Sequence, residues 1–333
     1  MTATLGEAGE SAALARIFPR LPAASAQLLG PGDDAAVLAT PDGRVVITTD
    51  MMIHGPDFRL AWSSAHDLGW KAAASNLADV AAMGARPTAL VVALAAPEST
   101  TIEFLEQFAD GLRDGCASMA PGCGVIGGDL SVSQTLTIAV TAFGDLEGRE
   151  AVLRSGARVG DVVAVSGPLG LAAEGLRLLF ESGVDNEGTP NAAAAASLRA
   201  THPVPLAAQL TPTPPIADGV AAAIAGASAM LDLSDGLAID ARRLAAASAV
   251  ALDLEAGLTP MELDGGEDHS LLATFPPEAA AAGLPGAGLP GGFRAIGVVR
   301  EPRADGHGLL VGGVPYVLRG GWDPYDGWNG GTG

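Results

Sequence analysis

The sequence predicts an α/β (α+β) protein built as two domains, on three observations. The chain has 333 residues, more than one ordinary hydrophobic core serves, so two domains are expected. Its residues are 48% hydrophobic but only 4% aromatic, a globular chain built from Ala, Val and Leu rather than a disordered one. Strand-like alternation and Ala-rich helical stretches follow one another in both halves, the pattern of mixed α/β layers. Apolar periodicity lapses around "GDLEGREAVLRSGARVGD". The boundary is set there, giving domains 1–148 and 149–333.

In the first domain, residues 10–21 read as a short amphipathic helix. The segment "DDAAVLATPDGRVVITTD" reads as a hairpin, two apolar runs around Pro41-Asp42-Gly43, a favourable turn sequence. Residues 63–84 form a helix by length and Ala content, stopped by Gly84 and Pro87. "TALVVALAAP" is a buried strand, "TTIEFLEQFADGLRDGC" a helix opened by a Thr cap, and "TLTIAVTAFG" an alternating strand. The second domain reads as strand "DVVAVSG", helix 169–181, a Pro/Ala-rich loop at 183–205 and helix 216–228. Helix 236–248 and the strands "AVALDLE", "SLLATF", "FRAIGVV" and "LLVGGVPYVL" follow, with a turn-rich, exposed stretch at 283–292.

Charge narrows the function. Eighteen basic residues stand against 38 acids, net −20, and Lys71 is the single lysine. Such a chain cannot supply the cationic stripe that nucleic acid requires. No apolar run reaches the ~20 residues of a membrane span, and the N-terminus lacks a basic-then-apolar signal. Cys116 and Cys123 give neither a disulfide framework nor metal spacing, and read as small residues of a reducing cytosol. An acidic protein repels phosphates unless divalent cations invert the local field.

The acids recur beside glycines or hydroxyls at element ends: "GPGDDAAV" (Asp33, Asp34), "TTD" (Thr48, Thr49, Asp50), "NLADVAAMG" (Asp79), "GGDLS" (Asp129), "DLSDG" (Asp232, Asp235) and "GGEDHS" (Glu267, Asp268). Any one alone reads as a turn residue or helix cap. Six such sites suit magnesium, which takes hard oxygen ligands and keeps waters for substrate phosphates, and several metals can clamp a phosphoryl transfer. There is no GxxxxGK[ST] loop, HExxH or CxxC.

Two stretches sharpen the question. In helix 63–84, Asp67, Lys71, Ser75 and Asp79 fall on one face. Either Asp67 and Lys71 make a surface pair with Asp79 solvated, or Asp79 is a carboxylate at a packed seam and wants a cation. In "AMLDLSDGLAID" the apolar start reads as a strand that stops in a turn before Gly236. In an unbroken strand Asp232 and Asp235 would face opposite ways; the break lets both converge. Asp240 falls a turn into the next helix, outside the site, and magnesium is the expected compensating charge.

In this order, "GPGDDAAV", "TTDMMIHGPDF", "DLGWKAAASNLADVAAMGARP", "GGDLS", "RSGARVGDVVAVSG", "LDLSDGL" and "GGED" resemble the thiamine-monophosphate kinase family. That family sits in the aminoimidazole-ribonucleotide-synthetase-like (PurM-like) superfamily, and the match spans nearly the whole chain. The resemblance implies transfer of the ATP γ-phosphoryl group to thiamine monophosphate in the cytoplasm, in a cleft between the domains. It implies several Mg2+ ions held by Asp33, Thr48, Thr49, Asp50, Asp79, Asp129, Asp232 and Asp235. It implies ATP contacts from Gly128, Asp129, Arg154 and Ser234, and substrate contacts from Asp57, Glu267 and Tyr325. It also implies a homodimer whose N-terminal sheets join into a barrel-like core, and no nucleic-acid or membrane partner.

An acceptor phosphate already ionised at neutral pH needs no general base, so a set without a catalytic His suffices. This sequence departs from the family pattern at Asp57, where a His is usual, and at His269 and Ser270, where "GGEDYE" is usual. Trp322 competes with Tyr325 for a stacking role. The alternatives are another ATP-dependent synthetase of the superfamily and a non-catalytic magnesium/nucleotide-binding scaffold.

Overall fold

The computed structural model describes residues 3–30, 36–281, 288–306 and 308–321. Along the first half run α1 (Leu5–Ala8), α2 (Glu10–Ile17), a 3-10 turn (Phe18–Arg20), β1 (Gln27–Leu29), β2 (Val37–Leu38), β3 (Val46–Ile53), α3 (Ala65–Ala82), β4 (Arg86–Ala96), α4 (Ile102–Met119), β5 (Gly124–Val132) and β6 (Thr137–Asp145). The second half holds β7 (Val162–Ser166), α5 (Leu171–Ser182), α6 (Ala192–Thr201), α7 (Pro203–Leu210), α8 (Ile216–Ile224), β8 (Ala229–Leu233) and α9 (Leu237–Ser248). It continues through β9 (Ala251–Leu254), α10 (Pro260–Asp264), β10 (Ser270–Phe275), α11 (Pro277–Ala281), β11 (Arg294–Arg300), β12 (Leu309–Val311) and β13 (Val314–Pro315).

The first half forms a four-stranded sheet in the order β3-β6-β4-β5. Its β4–β5 pair is parallel, with α4 as the crossover, and the other pairs are antiparallel. α3 and α4 cover one face of this sheet. α3 starts at a capping box in which Ser64 and Asp67 satisfy each other's backbone N–H groups, and Thr101 Oγ1 caps α4 through Phe104 N–H. The two helices touch backbone to backbone: a methyl group added at Gly111 would collide with the His66 carbonyl, and one at Gly69 with the Phe108 carbonyl. Gly111→Ala should therefore lower stability by roughly 1–3 kcal/mol through overpacking, read as a shifted urea midpoint; an unchanged midpoint would contradict the close approach.

The second half forms a seven-stranded sheet, β13-β12-β9-β11-β7-β10-β8, antiparallel except for β12 against β9. α9 and α10 pack on one side of it, with Leu231, Leu233, Leu237, Leu244 and Leu263 in the core. On the other side Met230, Leu271, Ala273 and Phe275 meet Ala222 of α8 and Ala82 of α3. α3 therefore lies between the two sheets, in contact with α4, β3, β6, α8 and β8. Most of its residues are buried, Asp67, Lys71, Ser75 and Asn76 among them, and the small alanines let both sheets approach it.

The expected hairpin before Asp50 does not form. Gly43 N–H closes the turn onto Thr40 O at 3.0 Å, but β2 pairs with β1 and all eight residues of β3 pair with β6. A good turn fixes a local bend, not which strands join. The 183–205 loop is also corrected: it holds α6, capped by the Asn191 side chain, and α7 begins with Pro203 at its first position. Ala-rich composition and Pro at N1 favour helix.

Candidate active site between the two sheets

β3 supplies the first carboxylate. Alternation along the strand puts Thr48 and Asp50 on the α3 side and Ile47, Thr49 and Met51 on the open face, where Ile47 and Met51 are 58% and 53% exposed. Thr48 Oγ1 donates to Asp79 Oδ2 at 2.8 Å, tying β3 to α3. Thr49 turns away, its hydroxyl donating to Val140 O at 3.0 Å.

From the second sheet, β8 ends as the sequence suggests: the chain bends at Ser234-Asp235 and enters α9 at Gly236, whose φ is +119°. Glu267 N–H and His269 N–H bond to Ser234 O and Leu233 O at 2.7 and 3.0 Å, stitching "GGEDHS" alongside that bend. Glu267 and His269 both lie in the left-handed region, φ +72° and +49°, a strain that concentrates at functional sites. The consecutive side chains divide. Asp268 is buried and accepts from Gly170 N–H and Ala172 N–H at 2.5 and 2.9 Å, capping α5. Glu267 instead pairs with Lys71 of α3.

Lys71 is 6% exposed and Asp67 is taken by Arg199 at 2.6 Å, so the Asp67–Lys71 surface pair does not form, while Asp79 is half-buried against β3. Asp240, expected outside the site, is 2% exposed; its Oδ2 accepts Asp235 N–H at 3.2 Å. Arg243 reaches Asp235 and Asp240 at 2.5 and 2.7 Å. Arg243 is thus a neighbouring cation of both acids. Asp232, 6% exposed, faces His269 Nδ1 at 3.8 Å, too far for a hydrogen bond, and that buried nitrogen has no hydrogen-bond partner.

Crowding of like charges is the electrostatic signature of the site. Burial, then the Asp232 charge, lifts Asp79 to about 6 against the Thr48 hydrogen bond. Burial and Asp232 lift Asp240 to about 7, with Arg243 opposing. Asp50, which still reaches solvent, is raised by partial loss of hydration, offset in part by Met51 N–H at 2.8 Å. Glu267 goes the other way: burial would raise it, but Lys71 and then His269 hold it below the usual carboxylate range. With divalent cations chelated, folding stability should fall as pH rises from 5 to 8. Asp79 and Asp240 titrate above their ordinary 3.8 in the folded state, so their contribution is full below that value and is lost through about 6 and 7. Melting curves in EDTA across this range check it; a flat or rising profile would contradict it.

Next to the Lys71–Glu267 pair is a cavity of about 330 Å³, lined by Asp57, Arg59, Trp62, Phe180, Lys71 and Glu267 among others. Asp57 accepts Ile53 N–H at 2.6 Å, and burial raises its pKa against that bond. The remaining predicted residues stand apart. Cross-strand register aligns Asp129 with Ala93, Ala139 and Met51 in one row. Three strand spacings thus separate Asp129 from β3, about 14 Å, and its side chain is on the open face. Gly128, beside it, meets the Val92 carbonyl so closely that no side chain fits. Arg154 is exposed; its carbonyl accepts Ser248 Oγ at 3.0 Å. Asp33, Asp34, Trp322 and Tyr325 lie outside the described residues.

Residues 32–146 match the family described as "AIR synthase related protein, N-terminal domain". A curated thiamine-monophosphate kinase of Mycobacterium tuberculosis is 39% identical over 97% of this chain and 93% of its own length. The chain belongs to the thiamine-monophosphate kinase family. The Corynebacterium glutamicum kinase is 38% identical over 82% of each chain. Among solved structures, the thiamine-monophosphate kinase of Stenotrophomonas maltophilia K279a superposes with a TM-score of 0.73 at 32% identity, covering 91% of this chain and 97% of that one. The structure named "AaThiL complexed with AMPPCP and TMP" superposes at 0.67 with 31% identity, covering 86% and 90%. The mixed α/β fold is thus that of the kinase family. Sequence reasoning missed Lys71 and His269 as site residues; a single lysine amid 38 acids, placed on an otherwise Ala-rich buried helix, was the available signal.

Proposed function

We propose that this chain transfers the γ-phosphoryl group of ATP to thiamine monophosphate, giving thiamine diphosphate and ADP. The observation that carries this, beyond kinship, is the set of mutually repelling carboxylates, Asp50, Asp79 and Asp232, beside a cavity with acidic and aromatic walls. The acceptor phosphate ionises by itself, so the protein's task is to neutralise two polyanions and align them in line. Asp57 and Glu267 suit the cationic thiazolium, and Ser234, at the bend after β8, suits a nucleotide phosphate.

Magnesium fits the donor set. Hard carboxylate oxygens crowded against one another are what a dication relieves. Among the described residues no three such side chains close on one point; magnesium keeps waters and takes substrate phosphates as further ligands. Asp50, Asp79 and Asp232, with Thr48 beside them, would hold it. When bound, it neutralises phosphate charge and templates the displacement.

Asp129, three strands away on the open face, and the adjacent Gly128 serve on this reading a site completed by a second copy. The exposed Ile47 and Met51 support a homodimer through that face. Two free, buried cysteines and the use of ATP suit the reducing cytoplasm. Incubation with Mg2+, ATP and thiamine monophosphate should yield thiamine diphosphate by chromatography, and light scattering should give twice the chain mass. ADP formed without the acceptor, or no diphosphate, would refute the kinase reading.

A further inference from the structure

Arg59 is a half-buried cation of the cavity that no acid holds. Its guanidinium carbon lies 4.8 and 4.7 Å from the ring centroids of Trp62 and Phe180, which meet edge to face at 5.0 Å. Among the described residues its side chain makes neither an ion pair nor a hydrogen bond, and the other arginines of which this holds, Arg154, Arg158 and Arg294, are exposed. In a chain with a net charge of −20, leaving a desolvated guanidinium unpaired is costly, and only the two rings compensate it.

The platform is held firmly. Trp62 is 5% exposed, and its Nε1–H donates to Gly183 O at 2.8 Å. Arg199 bonds the Trp62 carbonyl at 2.9 Å. Trp62 N–H and Ser63 N–H both close onto Arg59 O at 3.0 Å, setting the turn from which the arginine projects. Phe180, on α5, is 51% exposed.

Position within the cavity selects the ligand part. Arg59 lies against Trp62 and Phe180, which with Leu176, Leu179 and Leu210 make the apolar wall of the cavity, whereas Glu267, paired with Lys71, lines another part of it. Arg59 therefore belongs to the apolar, aromatic wall, and the reacting phosphate belongs beside Lys71 and Glu267. The guanidinium lies against both rings, and its N–H groups, which no acceptor among the described residues engages, remain for a ligand. A planar, neutral ring with acceptor nitrogens can take hydrogen bonds from those N–H groups, while a cation is repelled. We propose that Arg59, seated on Trp62 and Phe180, is the platform for the neutral aminopyrimidine ring of the acceptor, leaving the thiazolium toward Asp57 and Glu267. This rests on the kinase reading above.

Arg59→Lys keeps the charge and removes the planar face. Titration calorimetry on the full-length protein should give about tenfold weaker binding of both thiamine and thiamine monophosphate. KM for thiamine monophosphate should rise by a similar factor, with kcat, KM for ATP and the melting temperature unchanged. Phe180→Leu, at an exposed position, should give a smaller loss for the same two ligands. A loss confined to the phosphorylated ligand would make Arg59 an anion holder and overturn the assignment. Tighter binding would make it a plug that the substrate displaces, and unchanged affinity in both variants would remove it from the site; either overturns the proposal. A wild-type protein that forms no thiamine diphosphate sinks the kinase reading instead, a result separable from a failure of the variants alone.

Discussion

Asp232→Asn should lower phosphoryl transfer by on the order of 10³-fold, the scale of losing one preorganised electrostatic group, while the protein stays folded. Asparagine keeps the size of a side chain that is 6% exposed at the end of β8, so the packing of Leu231 and Leu233 around it is preserved. What is lost is a charge that raises both Asp79 and Asp240. In the variant those two acids should titrate closer to 3.8, and the fall in stability between pH 5 and 8 should flatten. Turnover assays and melting curves read the two effects separately. Activity within tenfold of wild type would mean that Asp232 is not at the transfer centre, and a variant that unfolds would assign it to the scaffold.

Lys71→Met should cost about 3 kcal/mol at neutral pH. Breaking a buried ion pair by removing one partner costs roughly 3–5 kcal/mol; the lower end applies because the Glu267 side chain is 33% exposed while that of Lys71 is 8% exposed. The ammonium is the largest influence holding Glu267 below its ordinary 4.5, with His269 next. Without it Glu267 faces the charges of Asp50 and Asp57. A depressed carboxylate pKa contributes stability above its unfolded value and loses it as pH falls. The difference between wild type and variant should therefore shrink as pH drops through 4.5. Urea titrations at pH 7.5 and 4 measure this, and Glu267→Gln in the same chain should recover part of the loss. A variant as stable as wild type would mean that the pair contributes nothing.

Much of this was legible in the chain. Helix 63–84, strand "TALVVALAAP" and the break in "AMLDLSDGLAID" follow from period, caps and glycine, and each forms within two or three residues of its expected bounds. The family was legible too, because its motifs are runs of acids and glycines whose order survives without any three-dimensional knowledge. The hairpin before Asp50 failed for the opposite reason: strand partners are chosen by packing across 90 or so residues, and the eight-residue ladder to β6 outweighs a two-residue turn.

Local sequence, then, determined the mixed α/β composition, the acidic character and the kinase family, since periodicity, turn residues and side-chain type are properties of neighbours along the chain. Only the tertiary structure decided which charges meet. It gave Asp235 and Asp240 to Arg243, Asp67 to Arg199 and Lys71 to Glu267; it spent Asp268 on a helix end and set Asp129 three strands from β3. Those pairings join residues far apart in sequence, and their energy depends on distance and burial, which neither composition nor spacing encodes.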